Sequence, residues 1–160
     1  MNVRGGVYTL GNRYDGYKKA MREAGLSPGP QFECPTEEAM FSLLQELLRG
    51  ADRPTAIFAG HGPTISKLMH VLAKLRVSIP KDIAIMGFDD SDMFDLLQPP
   101  LSVVRQPVCQ IGRTSAEMLF SLLKGDKRTK GSAVTTTILP VKLVLRQSCG
   151  CRPETAKGQE

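Results

Sequence analysis

Residues 79–92, with the sequence IPKDIAIMGFDDSD, constrain the fold more than any other stretch of this chain. The apolar run at 83–86 lies between turn residues, a pattern typical of a strand buried on both faces of a sheet. Two adjacent carboxylates, Asp89 and Asp90, follow this strand. Ligands in open α/β sheets bind at the carboxyl ends of strands. Each aspartate is therefore a candidate ligand contact or a helix cap, and we expect Asp89 to face a cleft and Asp90 to cap.

The segments around this strand predict alternating helices and strands. The first helix is expected over 13–24 with Asn12 as its cap, the second is capped by Thr36 and ended by Gly50, and the third follows Pro63. A fourth helix is expected from Pro107 to 123. The predicted strands cover residues 4–10, 32–34, 55–59, 101–105, 134–139 and 141–145. Such alternation indicates parallel strands that are joined by right-handed crossovers.

One face of the fourth predicted helix is apolar, and we expect it to be buried. The side chains that form this face are Val108, Ile111, Met118, Leu119 and Leu122.

Composition narrows the class of protein. The 160 residues carry a formal net charge of +5, no tryptophan and only 6% aromatic residues, which argues against a stacking platform for single-stranded nucleic acid. The basic residues are scattered over helix faces rather than clustered. The sequence shows no apolar stretch of membrane-spanning length and no signal-peptide pattern at Met1, so a cytoplasmic protein without membrane contact is expected.

The four cysteines include one close pair, Cys149 and Cys151, separated by a single glycine. A structural metal site needs about four ligands at suitable spacing, and no second pair of cysteines or histidines accompanies this one. We therefore expect free thiols, no metal and no cofactor.

Signatures of catalysis are missing from the sequence. It contains no G-x-S-x-G motif, Walker loop, H-E-x-x-H motif or G-x-G-x-x-G motif after a strand, so an enzyme is not expected. Two further residues are candidates for ligand contact. His61 follows a predicted strand and is either an exposed loop residue or a ligand contact. Arg13, near the start of the first helix, is either a surface arginine or a rigid fork of hydrogen-bond donors to a ligand.

Several motifs in order resemble one family over nearly the whole chain. The segments IPKDIAIMGFDDSD, QPPLSVVRQPVCQIGRTSAEMLF and VKLVLRQSCG are similar to the effector-binding domain of the lactose/galactose repressor (LacI/GalR) family of bacterial transcription regulators. RYDGYKKA at 13–20 resembles the family's R-x-x-G-[FYW]-x-x-A helix, and PTAIFA at 54–59 resembles its P-T-A-[IV]-F strand.

The resemblance implies a periplasmic-binding-protein-like fold, in which a small effector, often a sugar or purine, binds between two lobes and changes operator binding by an attached helix-turn-helix. The fold class expected is a three-layer α/β/α parallel sheet, mostly the C-terminal lobe. Arg13 and Asp89 match the family's effector contacts. The usual Asn-Asp after the P-T-A-[IV]-F strand is replaced by His61-Gly62, so His61 is an uncertain substitute.

The resemblance also sets expectations for domains and partners. Residues 1–104 would form the C-terminal-lobe core, 105–135 a segment crossing to the N-terminal lobe, 136–151 the return and 152–160 a disordered tail. The DNA-binding headpiece and most of the N-terminal lobe are not in this sequence, which suggests a fragment that contacts DNA only through a missing domain. A homodimer is expected, and its interface residues would be Met93, Phe94, Leu97 and Leu68. A solute-binding protein, or a sugar sensor of a signalling protein, is the alternative.

Overall fold

The computed structural model describes residues 8–124 and 136–151. The helices are α1 (Tyr8–Glu23), α2 (Glu37–Arg49), α3 (Gly62–Lys74) and α4 (Val108–Leu123), with a short 3₁₀ helix at Asp92–Asp95. The strands are β1 (Ala56–Ala59), β2 (Ala84–Phe88), β3 (Ser102–Arg105) and β4 (Lys142–Val144). Within the described ranges, no helix is long and apolar enough to cross a membrane.

The four strands form one sheet in the order β1-β2-β3-β4. β1, β2 and β3 are parallel, which confirms the prediction from the alternating helices and strands. β4 pairs with β3 in the antiparallel direction, with Val103 opposite Val144, so the sheet is mixed rather than wholly parallel. Parallel strands end at the same edge of a sheet, and the carboxyl ends of β1 and β2 therefore lie side by side.

Helix α3 packs against β1 and β2, and α2 packs against α3. Their apolar stripes and the strands form a core of Met40, Leu44, Ala59, Ile65, Leu68, Val71, Leu72, Ile83, Ile85, Phe94, Leu101 and Val103. Gly87 permits this packing, because a β-carbon at that position would collide with the side chain of Ile65 in α3.

Burial along β2 alternates, and this corrects the prediction of a strand buried on both faces. Ile85 and Gly87 are buried on the side of α3, whereas Ala84, Met86 and Phe88 are half-buried on the other side. Alternation of this kind is the burial pattern of a sheet with one well-covered face.

The predicted cap and end of α2 are confirmed. The Thr36 hydroxyl accepts a hydrogen bond from the Ala39 N–H at 3.2 Å, and Gly50 follows the last turn, as predicted. The predicted start of α1 was wrong, because the helix already includes Tyr8 and Asn12 lies inside it. Gly25 has the left-handed conformation, with φ of 70°, that commonly follows a helix end.

Three predicted strands need correction. Residues 8–10, expected in a strand, begin α1, while 4–7 lie outside the described residues. Residues 32–34 and 136–139 have no strand, and 134–135 also lie outside the described range. The predicted tail 152–160 is likewise outside it.

Helix α4 begins after Pro107 as predicted, but its apolar face is not buried. None of its residues is fully buried, and Val108, Ile111, Leu119 and Leu122 are exposed, while Met118 is half-buried. The periodicity correctly predicted an amphipathic helix but could not specify what covers it.

Candidate ligand site at the carboxyl edge of the sheet

Arg13 reaches from α1 to the carboxyl ends of β1 and β2. Its Nη1 donates a hydrogen bond to the Gly60 carbonyl at 2.5 Å, directly after β1. Its guanidinium carbon lies 3.7 Å from the centre of the Phe88 ring, at the end of β2, in a cation–π arrangement. The contacts therefore fix Arg13 against two strand ends. A guanidinium also carries donors on two further nitrogens, which suits it to binding a ligand oxygen.

Asp89 follows β2 in an unusual backbone conformation. Its φ is 76°, in the left-handed region that non-glycine residues seldom adopt and that often occurs at functional sites. The Asp89 N–H donates to the Val104 carbonyl at 3.0 Å, and the Gln106 side chain donates to Asp89 Oδ1 at 2.5 Å. Oδ2 lies 3.6 Å from Arg13 Nη1. Arg13 and Asp89, predicted separately from the sequence, are thus an ion pair in the structure.

The Asp89 side chain keeps 37% of its surface exposed. A carboxylate has about four lone-pair positions, so the bonds described leave it able to accept hydrogen bonds from hydroxyl groups. The arrangement of an accessible carboxylate beside a guanidinium can bind a small polyhydroxylated molecule without any chemical step.

His61 lies at the same edge, where it caps α3. Its Nδ1 accepts a hydrogen bond from the Thr64 N–H at 3.1 Å, and its Nε2 lies 3.4 Å from the Thr64 hydroxyl. The structure shows His61 as a helix cap, and a contact between His61 and a ligand stays a prediction. The residue is adjacent to Gly60, whose carbonyl binds Arg13, so the cap also orders the turn that holds the candidate ligand residue.

Asp90 is not the helix cap that the sequence suggested. The Ser91 hydroxyl caps the 3₁₀ helix by accepting from the Met93 N–H, while Asp90 forms ion pairs. Arg105 Nη2 lies 2.5 Å and Arg146 Nη2 3.2 Å from Asp90 Oδ2. Burial raises the pKa of Asp90, but hydrogen bonds from Arg146 and Arg105 outweigh it and hold the pKa below its usual range.

Arg146, like Gln106, is a residue of this site that was not predicted from the sequence. Its side chain is only 9% exposed and donates to both Asp90 oxygens at 3.2 Å and to the Leu101 carbonyl at 2.7 Å. It also pairs with Asp95 in the 3₁₀ helix. Burial lowers the pKa of Arg146, but the hydrogen bonds to Asp90 and Asp95 raise it overall. Arg146 therefore ties the residue next to Asp89 to the start of β3.

A groove of about 400 Å³ runs between α4 and residues 137–141. It includes Gln106, the residue that binds Asp89, and otherwise lies apart from Arg13 and His61. Because the polar groups of the strand ends are not in it, we locate the candidate ligand site at the strand ends and not in this groove.

The predicted dimer surface is only partly available. Leu68 and Phe94 are buried in the core of this chain, and Leu97 packs against that core. Met93 is 64% exposed. The assignment of Leu68 and Phe94 to an exposed interface is therefore corrected, because their partners are in the same chain. A homodimer stays a prediction, with Met93 as the accessible member of the set.

Comparison with known proteins identifies the family. The sequence model of the family described as periplasmic binding protein-like domain matches residues 3–149 of this chain. The chain belongs to this family. Its α/β fold is the one predicted, and its relatives include transcriptional repressors and a LacI-family transcriptional regulator, in agreement with the resemblance of the sequence.

Two curated relatives are repressors. The ribose operon repressor of Haemophilus influenzae is 31% identical over 140 residues, covering 86% of this chain and 41% of that protein. The probable opine utilization operon repressor of Rhizobium rhizogenes is 28% identical over 159 residues, covering 93% of this chain and 79% of that protein. This chain thus spans about two fifths of the first relative and most of the second.

A solved structure extends the comparison to a ligand complex. A LacI-family transcriptional regulator from Enterococcus faecium with bound ribose is 26% identical, with a TM-score of 0.66, covering 87% of this chain and 51% of that one. The fold described above is therefore shared with about half of a chain whose structure contains ribose.

Proposed function

We propose that this chain is the effector-sensing part of a LacI/GalR-type transcription regulator and that it binds a small polyhydroxylated molecule, such as a pentose, at the strand ends. The observation that carries the proposal is the pairing of Arg13 with Asp89 at the carboxyl edge of β1 and β2. Asp89 would accept hydrogen bonds from ligand hydroxyls, and Arg13 would donate to ligand oxygens. Relatives named for the ribose operon, and one with bound ribose, support a sugar as the first ligand to test.

The mechanism we propose is a population shift. A ligand that binds one arrangement of two lobes better than another changes the balance between them, by as much as its affinities differ. In the parent protein this shift would alter operator binding by a DNA-binding domain. The proposal includes the expected division of the chain. Residues 1–104 and 136–151 would belong to the C-terminal lobe, residues 105–135 would cross to the N-terminal lobe, and the ligand would bind in the cleft between the lobes.

The proposal is tested by calorimetric titration of the protein that carries this chain with D-ribose, other pentoses, hexoses and nucleosides. Asp89→Asn removes the charge and keeps the shape. A hydrogen bond to a charged group contributes about 1.5–3 kcal/mol, so the affinity should fall by roughly tenfold to a hundredfold. Asp92→Asn, an exposed aspartate three positions on, is the matched control and should leave the affinity unchanged.

A second measurement addresses regulation. Fluorescence anisotropy with DNA from upstream of the protein's own gene should show an affinity that changes when the bound sugar is added. Failure of every sugar and nucleoside to bind would refute the sensing function. Binding that is unaffected by Asp89→Asn would remove Asp89 from the site.

A further inference from the structure

The turn after β4 brings two thiols together. Gly150 donates its N–H to the Gln147 carbonyl at 3.1 Å and has a φ of 72°, a conformation that favours glycine. The turn folds Cys151 back onto Cys149, so that the Cys151 N–H donates to Cys149 Sγ at 3.4 Å. Cys151 Sγ lies 3.9 Å from the Cys149 carbonyl oxygen. Both cysteines are free, Cys151 is exposed and Cys149 is half-buried.

The surroundings of Cys149 Sγ supply hydrogen-bond donors. The buried Ser102 hydroxyl, which accepts from the Arg146 N–H at 2.8 Å, is a hydrogen-bond donor that lowers the pKa of Cys149, while the Cys149 thiol itself can donate to the Arg146 carbonyl at 3.7 Å. The Cys151 N–H is a second donor, and donors of this kind stabilise a thiolate. Burial raises the pKa of Cys149, but these hydrogen bonds outweigh it and lower the pKa below the ordinary value.

The neighbouring thiol is affected in the opposite sense. The hydrogen bond that it makes with Cys149, followed by the charge on that sulfur, raises the pKa of Cys151. Of the two sulfurs, Cys149 therefore loses its proton more readily than Cys151. A low-pKa, accessible thiolate next to a second cysteine is the usual arrangement of redox-sensitive thiols.

We propose that Cys149 and Cys151 form a peroxide-reactive dithiol, in which Cys149 is oxidised first and Cys151 closes an intramolecular disulfide. The Cys149 thiolate attacks one oxygen of the peroxide, the O–O bond breaks and hydroxide leaves, which gives a sulfenic acid. The Cys151 sulfur then attacks the sulfenic sulfur. The new S–S bond forms as the thiol proton and the sulfenic hydroxyl leave together as water. Two thiols are oxidised, and one peroxide is reduced.

Metal binding explains the arrangement of Cys149 and Cys151 less well than oxidation does. Over the ranges 8–124 and 136–151, no cluster of three or more His, Cys, Asp or Glu side chains could hold an ion. Two thiolates alone give half of the ligands that a tetrahedral structural site needs. Oxidation requires only the two sulfurs themselves.

The test uses the whole reduced chain and hydrogen peroxide. After treatment, remaining thiols are blocked with N-ethylmaleimide and the peptides are mapped by mass spectrometry. We expect the peptide with Cys149 and Cys151 to lose two hydrogens and to take up no label, while Cys34 and Cys109 are labelled. Cys151→Ser should leave a sulfenic acid on Cys149 that dimedone traps, and Cys149→Ser should protect Cys151 from rapid oxidation.

A second measurement does not depend on any substitution. The rate of alkylation of Cys149 by iodoacetamide, followed against pH, should have its midpoint below that of the same cysteine in the urea-unfolded chain. Labelling of both cysteines after peroxide treatment, disulfides only between molecules, or a midpoint in the folded chain at or above the unfolded one would each overturn the proposal.

Discussion

Replacing Arg146 with methionine tests whether the ion pairs beside the candidate site hold the fold together. The substitution keeps the aliphatic length and removes the guanidinium that contacts Asp90, Asp95 and the Leu101 carbonyl. The Asp90 side chain is 8% exposed, so the loss leaves a carboxylate that water reaches poorly. Breaking a buried pair in this way costs about 3–5 kcal/mol.

Arg105 still contacts Asp90 after the substitution, so we expect the low end of that range, about 3 kcal/mol. Arg105→Met is the matched control, because its side chain is 48% exposed and pairs of that kind contribute about 1 kcal/mol or less. The free energy of unfolding comes from urea titration followed by circular dichroism, with linear extrapolation. A cost for Arg146→Met below about 1 kcal/mol, or equal to that of Arg105→Met, would refute the reasoning.

A double-mutant cycle measures the coupling free energy between Asp90 and Arg146. The single variant Asp90→Leu removes the carboxylate and leaves the Arg146 guanidinium without this partner. The double variant Asp90→Leu/Arg146→Met removes both charges of the pair. Replacing both partners of a buried pair by apolar groups is often close to neutral, so the double variant should be more stable than the sum of the single changes predicts. Additivity of the two changes would show that the pair is not coupled.

The pH dependence has a definite sign. The folded-state pKa of Asp90 is lowered, so the unfolded chain takes up this proton first as the pH falls. The stabilisation is complete above the ordinary aspartate pKa of about 3.9 and is lost as the pH falls from there through the lower folded-state value. The difference in stability between the natural chain and Asp90→Asn should therefore shrink in that window, as acid titration at fixed urea would measure.

Three further predictions concern the elements that support the site, and urea unfolding checks each. Thr36→Ala removes the cap of α2 and should cost about 1 kcal/mol, whereas Thr36→Ser should cost much less. His61→Ala should lower the stability by a similar amount, because it removes the cap of α3. His61→Asn can also accept a hydrogen bond from the Thr64 N–H and should keep most of the stability. If both variants lose the same stability, His61 does not act as a cap. Gly87→Ala should destabilise the chain by about 1–3 kcal/mol because the new methyl group meets Ile65, and a neutral result would show that α3 can move away.

The sequence predicted the elements that depend on local patterns. The spacing of apolar residues and the Thr36 cap are short-range signals, and α2, α3 and β1–β3 were found from such signals. The start of α1 was missed because Val7, Tyr8 and Thr9 favour a strand, while the glycines before them disfavour a helix. The direction of β4 was missed because apolar alternation carries no information about which neighbour a strand pairs with or in which sense.

The site was predictable only in part. Arg13 and Asp89 were singled out, but their ion pair was not predicted, because Arg13 lies on α1 and no local pattern specifies where that helix packs. Asp90 was assigned as a cap because its partner Arg146 lies 56 residues away in the sequence, and nothing local distinguishes a capping aspartate from a paired one. The exposure of the apolar face of α4 was missed for a similar reason, because periodicity defines an apolar face but does not specify what packs against it.

The buried Ser148 hydroxyl, which joins β2 to β3, sets a condition on the timing of folding. Ser148 donates to the Ile85 carbonyl in β2 at 2.7 Å and accepts from the Ser102 N–H at the start of β3 at 2.8 Å. Ser148 comes 46 residues after Ser102, which takes roughly 2–9 s of synthesis at 5–20 residues per second. Until then the Ser102 N–H and the Ile85 carbonyl lack their protein partner, so the centre of the sheet can be completed only after the ribosome has made the C-terminal segment.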